Sequence, residues 1–270
     1  MANIAENLQA IIKAKNDLKN SINAKNAGAI TDSTPFSAYP NSISAIETRT
    51  LDMSDRVVSD SIELKDYTDS VFIASKCVKD VNIPTTVTSL GSSCFYYCTS
   101  LSAITIPDSV STLFYNCFQY CTSLSEITIP DSVTSLGNNC FAYCSSLSSV
   151  IIGNSVTSLG DYCFSSCSSL SSVTIPDSVT SLGGWCFDSC SSLTSVTIGN
   201  SVTSIGSYCF GYCSKLTSVT CKAKTPPTLG SKVFNRTPST MIIYVPAESV
   251  DAYKAATNWS NYADKIQAIA

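Results

Sequence analysis

Pairs of cysteines four residues apart are the residues of this chain whose type and spacing could do chemistry. The first pair lies in CFYYCTSLSAITIP, residues 94 to 107, and the same Cys-Phe frame returns at positions 117, 140, 163, 186 and 209. Two nearby thiols can bind a metal, form a disulfide or exchange electrons, and a small thiol can also fill space in a core. Because the arrangement occurs six times, it favours a structural role over catalysis.

The spacing of these cysteines does not match a zinc site. Zinc knuckles use C-x2-C pairs completed by His or by a second close pair, and this chain has no histidine. Equivalent residues such as Cys94 and Cys117 could form occasional disulfides, because stacked units would place them ~4.8 Å apart. In-register side chains point the same way, however, so buried free thiols are the favoured interpretation. Cys77 and Cys221 fall outside the frame and are predicted to be semi-exposed free thiols.

The composition argues against several classes of function. Charged residues make up 13% of the 270 residues, against about 25% in typical soluble domains, so Ser, Thr and Asn must cover most of the surface. The net charge of −4 and the isoelectric point of about 4.8 argue against nucleic-acid binding. The absence of histidine removes the commonest general base and the commonest nitrogen ligand for metals. We therefore expect no enzymatic activity and no cofactor or metal.

The sequence as given is expected to lack an export signal and a membrane anchor. Its opening residues, MANIAENLQAIIKAKNDLKN, have neither a basic start nor the uninterrupted apolar stretch of a signal peptide. No later run reaches the ~18 apolar residues of a membrane span. Processing before this numbering begins is the alternative explanation.

Apolar residues recur every 23 positions without a slip. Four such columns are Ile83, Ile106, Ile129, Ile152, Ile175 and Ile198; Leu101, Leu124, Leu147, Leu170, Leu193 and Leu216; Phe95, Phe118, Phe141, Phe164, Phe187 and Phe210; and Leu90, Leu113, Leu136, Leu159, Leu182 and Ile205. A fixed period of this length is typical of solenoids, in which each unit packs on its neighbours.

Each unit is predicted to form one coil. Ile104 and Ile106 alternate with Ala103 and Thr105, which indicates a short strand that ends at Pro107. The PDS or GNS that follows is typical of a turn. One unit cannot fold alone, because burying about five large apolar side chains yields on the order of 10 kcal/mol while ordering its backbone costs ~1–2 kcal/mol per residue. Stacked units supply the missing burial and join their strands into one parallel sheet.

The frame CFxxCxxLxxIxIPxSVxxLG resembles the leucine-rich repeats of BspA-like bacterial surface proteins of the Treponema pallidum type, over about residues 67 to 235. It departs from the common leucine-rich pattern at Ser109, where Asn or Cys is expected, and it has Cys where many BspA-like units have Ala. The resemblance implies an α/β repeat solenoid, a right-handed coil of 23-residue units with one parallel β-sheet. An N-terminal helical segment and a C-terminal strand-helix cap complete the predicted fold.

The first ~28 residues are predicted to form an amphipathic helix. Its apolar residues lie at steps of 4, 3, 7 and 4: Ile4, Leu8, Ile11, Leu18 and Ile22. The helix either packs on its own solenoid or associates with other copies as a short coiled coil. The segment from about residue 3 to 46, which includes TPFSAYPNSISAI, resembles the opening of phage and prophage tail-associated proteins. That resemblance implies an attachment or oligomerisation role for these apolar residues.

Both ends of the chain are predicted to use one small docking element. TPFSAYPNSISAI at 34–46 and TNWSNYADKIQAI at 257–269 match at seven offsets, with Phe36 and Trp259, and Tyr39 and Tyr262, as anchors. The C-terminal residues also resemble the end of BspA-like proteins, where a last strand and helix close the solenoid. The predicted domains are an attachment segment at 1–56, an N-terminal cap at 57–82, the repeats at 83–235 and a C-terminal cap at 236–270.

Variation within the repeat is concentrated around each Cys-Phe pair. The residues before the first cysteine are Ser93, Asn116, Asn139, Tyr162, Trp185 and Tyr208. Departures from a repeat mark positions freed from packing, and amphipathic aromatic residues there suit contact with a glycan or a protein. Tyr162, Trp185 and Tyr208, which we call the aromatic row, are predicted to be contiguous and to bind ligand together with Tyr96 and Tyr115. The alternative is a partly buried ridge that shields the bent side of each coil.

Other surfaces of the predicted coil offer little chemistry. The outward strand positions carry mainly Ser and Thr, which gives a flat and nearly uncharged sheet face. Asp108, Asp131 and Asp177 repeat at the turn, where Asx turns explain them better than acid–base catalysis. No phosphate loop and no nucleophile with a base is evident.

The sequence therefore predicts a non-enzymatic binding protein. The first hypothesis is a phage tail or fibre-associated virion protein, assembled in the host cytoplasm, whose repeats contact a host-surface glycan or protein. In that case the N-terminal segment binds other virion proteins or other copies of the chain. The alternative is a BspA-like adhesin on a bacterial cell surface that binds host matrix or glycan. Neither hypothesis includes a nucleic acid or a membrane span.

Overall fold

The computed structural model describes residues 51–52, 80–83 and 85–269. The predicted attachment helix, with Ile4, Leu8, Ile11, Leu18 and Ile22, lies outside the described residues. So do Phe36, Tyr39 and Cys77. The predicted domain boundaries at 56 and 82 fall beside or within the undescribed part and stay predictions.

The described chain is a parallel β-solenoid of about eight turns with a period of 23 residues. Paired strands of successive coils lie in register, as Ser172 pairs with Ser195 and Ile175 with Ile198. Toward the C-terminus the step lengthens to 24 residues, because Ser204 pairs with Thr228. The repeat unit predicted from the sequence is therefore one coil of the solenoid.

Two parallel ladders run along the coil, not the single sheet that was predicted. The broad ladder follows the apolar alternation of each unit, and its strands are β1 (Leu51–Asp52), β2 (Asp80–Asn82), β4 (Ala103–Ile104), β6 (Glu126–Thr128), β8 (Ser149–Ile151), β10 (Ser172–Ile175), β12 (Ser195–Ile198), β14 (Ser218–Cys221), β16 (Ile242–Val245) and β17 (Ile266–Ala268). Its described strands form three hydrogen-bonded sheets in the orders β1–β2–β4, β6–β8 and β10–β12–β14–β16–β17. The narrow ladder consists of two-residue strands: β3 (Ser89–Leu90), β5 (Thr112–Leu113), β7 (Ser135–Leu136), β9 (Ser158–Leu159), β11 (Ser181–Leu182), β13 (Ser204–Ile205) and β15 (Thr228–Leu229). Two residues are too few to show the alternation that identifies a strand in sequence.

The core includes the four predicted columns. Their described side chains are buried, and the phenylalanine rings stack along the axis, with centroids 5.0 Å apart for Phe95 and Phe118 and 5.4 Å apart for Phe187 and Phe210. Outward strand positions such as Ser172 and Thr174 are exposed, which confirms the Ser/Thr face of the broad ladder. Column stacking therefore fixes which residues reach the surface.

The turns after the broad strands are joined from coil to coil by side chains. Asp131 Oδ1 accepts the backbone N–H of Asn154 over 2.6 Å, and Asp177 Oδ1 accepts that of Asn200 over 2.8 Å. These carboxylates bind the next coil, so the predicted Asx turns within one coil were wrong for both. A glycine is needed before Asn154, because a Cβ on Gly153 would lie 2.5 Å from the carbonyl oxygen of Pro130.

A strand and helices close the C-terminal end, as predicted. After β16, a 3-10 turn at Ala247–Ser249 leads into helix α1 (Val250–Ala255), and a 3-10 helix at Trp259–Lys265 precedes β17. Trp259 is fully buried and donates its indole N–H to the carbonyl of Pro227 over 2.7 Å. Tyr262 lies edge-on to Phe234, so both predicted C-terminal anchors pack on the last coil.

Candidate binding site

The candidate site lies on the bent segment between each narrow strand and the next broad strand. This segment carries the CFxxC motif, and the residue before each cysteine has a positive φ. The first turn row consists of the residues before the first cysteine and the equivalent residue of the last turn, namely Ser93, Asn116, Asn139, Tyr162, Trp185, Tyr208 and Lys232. The second turn row consists of Tyr97, Tyr120, Tyr143, Ser166, Ser189, Tyr212 and Arg236.

Backbone hydrogen bonds between coils hold the first turn row in register. The N–H of Tyr162 donates to the carbonyl of Gly184 over 2.9 Å, and the N–H of Trp185 donates to that of Ser207 over 2.9 Å. The N–H of Asn139 makes the equivalent bond to Asp161 over 2.8 Å. Side chains of successive coils therefore leave the backbone from equivalent positions.

The structure brings the aromatic row together. The ring centroids of Tyr162 and Trp185 are 5.1 Å apart with planes 5° apart, and those of Trp185 and Tyr208 are 5.5 Å apart with planes 3° apart. The Lys232 ammonium nitrogen lies 5.8 Å from the Tyr208 ring centroid, within range of a cation–π interaction. Tyr162 is 38% exposed, while Trp185 and Tyr208 are half-buried. The row is thus a continuous stack with a lysine at one end.

Tyr96 and Tyr115 do not join this stack. Tyr96 is half-buried and lies edge-on to Tyr120, at 5.8 Å between centroids. Tyr115 is 55% exposed and lies beside the first turn row, one residue before Asn116. Within the described residues, no ring contact links either tyrosine to the aromatic row. Their assignment to a shared ligand site stays a prediction.

A second aromatic stack lies in the coils that precede the aromatic row. The centroids of Tyr97 and Tyr120 are 5.2 Å apart, and those of Tyr120 and Tyr143 are 4.6 Å apart. Burial and the neighbouring phenols raise the pKa of Tyr120. The sequence carries the signal for this stack, since tyrosine recurs before the second cysteine at intervals of 23, at positions 97, 120 and 143.

The aromatic residues occupy a backbone conformation that does not favour them. Tyr162, Trp185 and Tyr208 have φ values of 57°, 52° and 55°, a region in which Asn is enriched and bulky residues are rare. At the same position of earlier coils the chain carries Asn116 and Asn139, with φ values of 58° and 56°. The row therefore replaces a residue suited to the turn with residues that offer ring surface.

Asp188 lies in the bent segment between the two turn rows. Its Oδ2 accepts a hydrogen bond from the Ser189 hydroxyl over 2.8 Å. Its Oδ1 is the one buried side-chain oxygen or nitrogen without a hydrogen-bond partner in the described part of the chain. Gly211 in the next coil leaves room for it, because a Cβ there would lie 2.6 Å from Oδ1. Burial raises the pKa of the Asp188 carboxyl.

The repeat cysteines are buried free thiols, as favoured from the sequence. All thirteen described cysteines are free, and in five of the six pairs the second cysteine donates its S–H to the Phe carbonyl of the preceding coil. The donor–acceptor pairs are Cys121–Phe95, Cys144–Phe118, Cys167–Phe141, Cys190–Phe164 and Cys213–Phe187, each at 3.2 Å. Burial raises the pKa of Cys98, Cys144 and Cys213 to about 12, so these thiols are protonated at neutral pH.

The prediction for Cys221 was wrong. This residue is fully buried at the end of β14, and its Sγ lies 3.2 Å from the hydroxyl oxygen of Tyr253. It occupies the column of Ile198, where a small side chain leaves space for the Tyr253 hydroxyl. That hydroxyl donates to the carbonyl of Ala223 over 2.7 Å, so the Cys221 thiol is the donor toward Tyr253. The cysteine belongs to the cap rather than to the surface.

The described residues contain no group of three or more Cys, Asp or Glu placed to hold a metal ion. They also contain no helix with the length and apolarity that a membrane span requires. Within this part of the chain, the one hydrogen bond of the Asp188 carboxylate is to the Ser189 hydroxyl.

The model of the BspA-type leucine-rich repeat region matches six copies in this chain, over residues 65–190 and 135–256. The chain belongs to the BspA-type leucine-rich repeat family. No enzyme family is indicated, and no functionally curated protein gives a significant match.

Solved structures of other leucine-rich repeat proteins share the fold. The T. pallidum leucine-rich repeat protein is 29% identical, with a TM-score of 0.56, over 60% of this chain and 79% of that one. A leucine-rich repeat protein from Eubacterium ventriosum is 28% identical, with a TM-score of 0.53, over 59% of this chain and 43% of that one. The chain therefore spans less than half of the second protein.

Proposed function

We propose that this BspA-type repeat protein is a non-enzymatic adhesin that contacts a protein or glycan on a host surface through its first turn row. BspA-type leucine-rich repeat proteins are typically found at the cell surface, and the family suggests binding or adhesion. The proposal therefore takes the bacterial adhesin, the alternative in the sequence analysis, as the better supported role.

The observation that carries the proposal is the stack of Tyr162, Trp185 and Tyr208 on turns that favour asparagine. Aromatic residues are enriched at binding hot spots because they bury a large area while keeping a polar handle. Here they stand at positions where the same solenoid elsewhere has Asn, and they are not part of the buried columns. A purely structural repeat has no need for them at these turns.

The test is the binding of purified full-length protein to cultured epithelial cells and to matrix-coated wells. We expect Trp185→Asn to reduce binding by at least tenfold, because it removes the centre of the stack. The matched control is Thr174→Asn, which places the same residue on the exposed face of the broad ladder. Wild-type affinity in Trp185→Asn, or an equal loss in Thr174→Asn, would refute the assignment of the first turn row.

The predicted virion role rests on residues 3 to 46, which lie outside the described residues, and the family and structure matches give it no support. It stays a prediction that fractionation can test. The adhesin proposal expects the protein in the surface fraction of the producing bacterium. Its presence in purified phage particles and its absence from the surface fraction would restore the virion hypothesis.

A further inference from the structure

The two ends of the aromatic row differ. Beyond Tyr208 the stack ends at the ammonium group of Lys232, 5.8 Å from the ring centroid. Before Tyr162 the equivalent position is Asn139, whose φ of 56° matches the 57° of Tyr162. Among the described residues, Trp185 is the one ring in contact with Tyr162, which is 38% exposed. The backbone at Asn139 therefore repeats the conformation of Tyr162, but no ring lies there. We call this position, next to Tyr162 and above Asn139, the vacant step.

This step has the dimensions of one more ring. Successive rings of the row are 5.1 and 5.5 Å apart, so a flat group over Asn139 would meet the open face of Tyr162 at the same spacing. The face of an aromatic ring carries negative charge density and attracts polarised hydrogens. The C–H groups on one face of a pyranose meet that requirement, while its hydroxyl groups point outward from the edge.

The groups around the step suit hydroxyls. Asn116 and Asn139 are half-buried, and their side-chain amides make no hydrogen bond to the described residues, although neither amide is fully enclosed. An amide both donates and accepts, as does a sugar hydroxyl. A bound sugar would give these two side chains the partners that the protein does not provide.

The charge around the step excludes acidic ligands. Between Lys79 and Lys215 the sequence has no Lys, Arg or His, while it has seven Asp and Glu residues there. One of these is Asp161, directly before Tyr162 and exposed. A sialylated or sulfated sugar would meet like charge with no cation to offset it.

We propose that a neutral pyranose residue of a glycan stacks on the open face of Tyr162, above Asn139, with its hydroxyls on the amides of Asn139 and Asn116. The inference rests on the proposed function, since it names the ligand of the first turn row. It differs from that proposal in placing the sugar beyond the row's end and in excluding acidic glycans.

Two substitutions taken from the repeat itself test the inference. Asn139→Tyr fills the vacant step with tyrosine, the residue that the next coil carries at the equivalent position, Tyr162. Tyr162→Asn removes the stacking face and restores the residue of the preceding coils. Both use residues that this turn accepts elsewhere in the chain, so both variants are expected to fold. Tyr143→Asn is the matched control, because it removes a tyrosine from the same turn conformation in the second turn row.

The full-length protein and its variants would be applied to a printed array of neutral, sialylated and sulfated glycans and to fixed epithelial cells. We expect wild type and Tyr143→Asn to bind neutral glycans and the cells. Asn139→Tyr and Tyr162→Asn should lose at least tenfold in both assays. Periodate oxidation of the cells, which cleaves the vicinal diols of sugars, should abolish binding by the wild type.

The outcomes separate this inference from the proposed function. Cell binding that depends on Trp185 but survives periodate would retain the adhesin proposal and overturn the sugar, pointing to a protein partner. Undiminished binding by Asn139→Tyr, or binding to acidic glycans alone, would also overturn the inference. Loss of binding in Tyr143→Asn to the same extent would show that the vacant step is not the site. Failure of the wild type to bind cells at all would refute both proposals.

Discussion

The thiol of Cys144 donates a hydrogen bond to the carbonyl oxygen of Phe118, in the preceding coil, over 3.2 Å. The same bond recurs in five coils and links the column of second cysteines to the column of phenylalanines. A cysteine there fills a small buried space and also gives a second donor to a carbonyl that already accepts the N–H of Cys121 over 3.1 Å, which alanine could not do. The bond requires a protonated, reduced thiol, so the chemistry of these cysteines is coupled to the fold.

Burial predicts that the thiols are unreactive in the folded protein. The chain has fourteen cysteines, and the thirteen described ones are free and buried. With Ellman's reagent at pH 8, we expect at most one thiol, Cys77, to react in the native protein and all fourteen to react in guanidinium chloride without reductant. Three or more reactive thiols in the native state would show that the columns are accessible. A deficit in the unfolded state would show that disulfides exist.

The same thiols predict that stability falls in alkaline solution. Burial raises the pKa of Cys98, Cys144 and Cys213 to about 12, whereas an unfolded thiol ionises near pH 8.5–9. Above that pH the unfolded state holds fewer protons than the folded state, so the free energy of unfolding falls as pH rises until the folded thiols ionise. Each thiol contributes a loss of about 1.4 kcal/mol between pH 8 and pH 10. For these three thiols together the loss is about 4 kcal/mol, which is a large part of the ~5–15 kcal/mol of a typical domain, so we expect a marked loss of stability by about pH 10.

Circular dichroism during urea titrations at pH 7, 8 and 9 and during a pH titration to 11 would measure this effect. Cys144→Ala supplies the control, because it removes one ionising group. Its free energy of unfolding should be lower than wild type at pH 7, but its loss between pH 7 and 9 should be smaller than that of wild type. A free energy of unfolding that is the same at pH 7 and pH 9 would contradict the argument.

The repeat could be predicted in detail, because a column of identical apolar residues every 23 positions has few other physical solutions than a stacked coil. The narrow ladder could not be predicted, since strands such as Ser135–Leu136 present one buried residue each and carry no periodicity of their own. The burial of Cys221 was also missed, because its environment comes from Tyr253, 32 residues later in the chain. Local pattern determines the coil, whereas contacts between the last coil and its cap depend on distant sequence.

The candidate site, too, could be predicted from the sequence only in part. The contiguity of Tyr162, Trp185 and Tyr208 follows from their equal spacing alone. The position of Lys232 at the end of the stack could not be predicted from the 23-residue period. The last turn has one added residue, so Lys232 follows Tyr208 at a step of 24 residues. The unpartnered Oδ1 of Asp188 depends on Gly211 in the next coil, and a pattern within one unit does not report it.

The cap depends on the hydroxyl of Tyr253. It donates to the carbonyl of Ala223 and accepts from the thiol of Cys221, and the side chain is fully buried. Tyr253→Phe should lower the free energy of unfolding by about 1–3 kcal/mol, because it leaves a buried carbonyl and a thiol unpaired. Urea denaturation measures the change. With Cys221→Ala as background the loss should be smaller, so additive effects of the two substitutions would argue against a direct bond.

The final prediction separates a binding row from a ridge that merely shields the coil. Trp185→Asn removes two ring contacts, each worth about 0.5–1.5 kcal/mol. It also removes the backbone strain of a bulky residue at positive φ, which costs on the order of 1 kcal/mol or more. The two effects oppose each other, so we expect the free energy of unfolding to change by about 1 kcal/mol or less. Phe187→Ala, two residues later in the buried column, should instead cost about 3–5 kcal/mol. If urea denaturation shows Trp185→Asn to be as damaging as Phe187→Ala, the aromatic row is part of the core's support. A small change combined with loss of cell binding would show that Trp185 is present for its ligand.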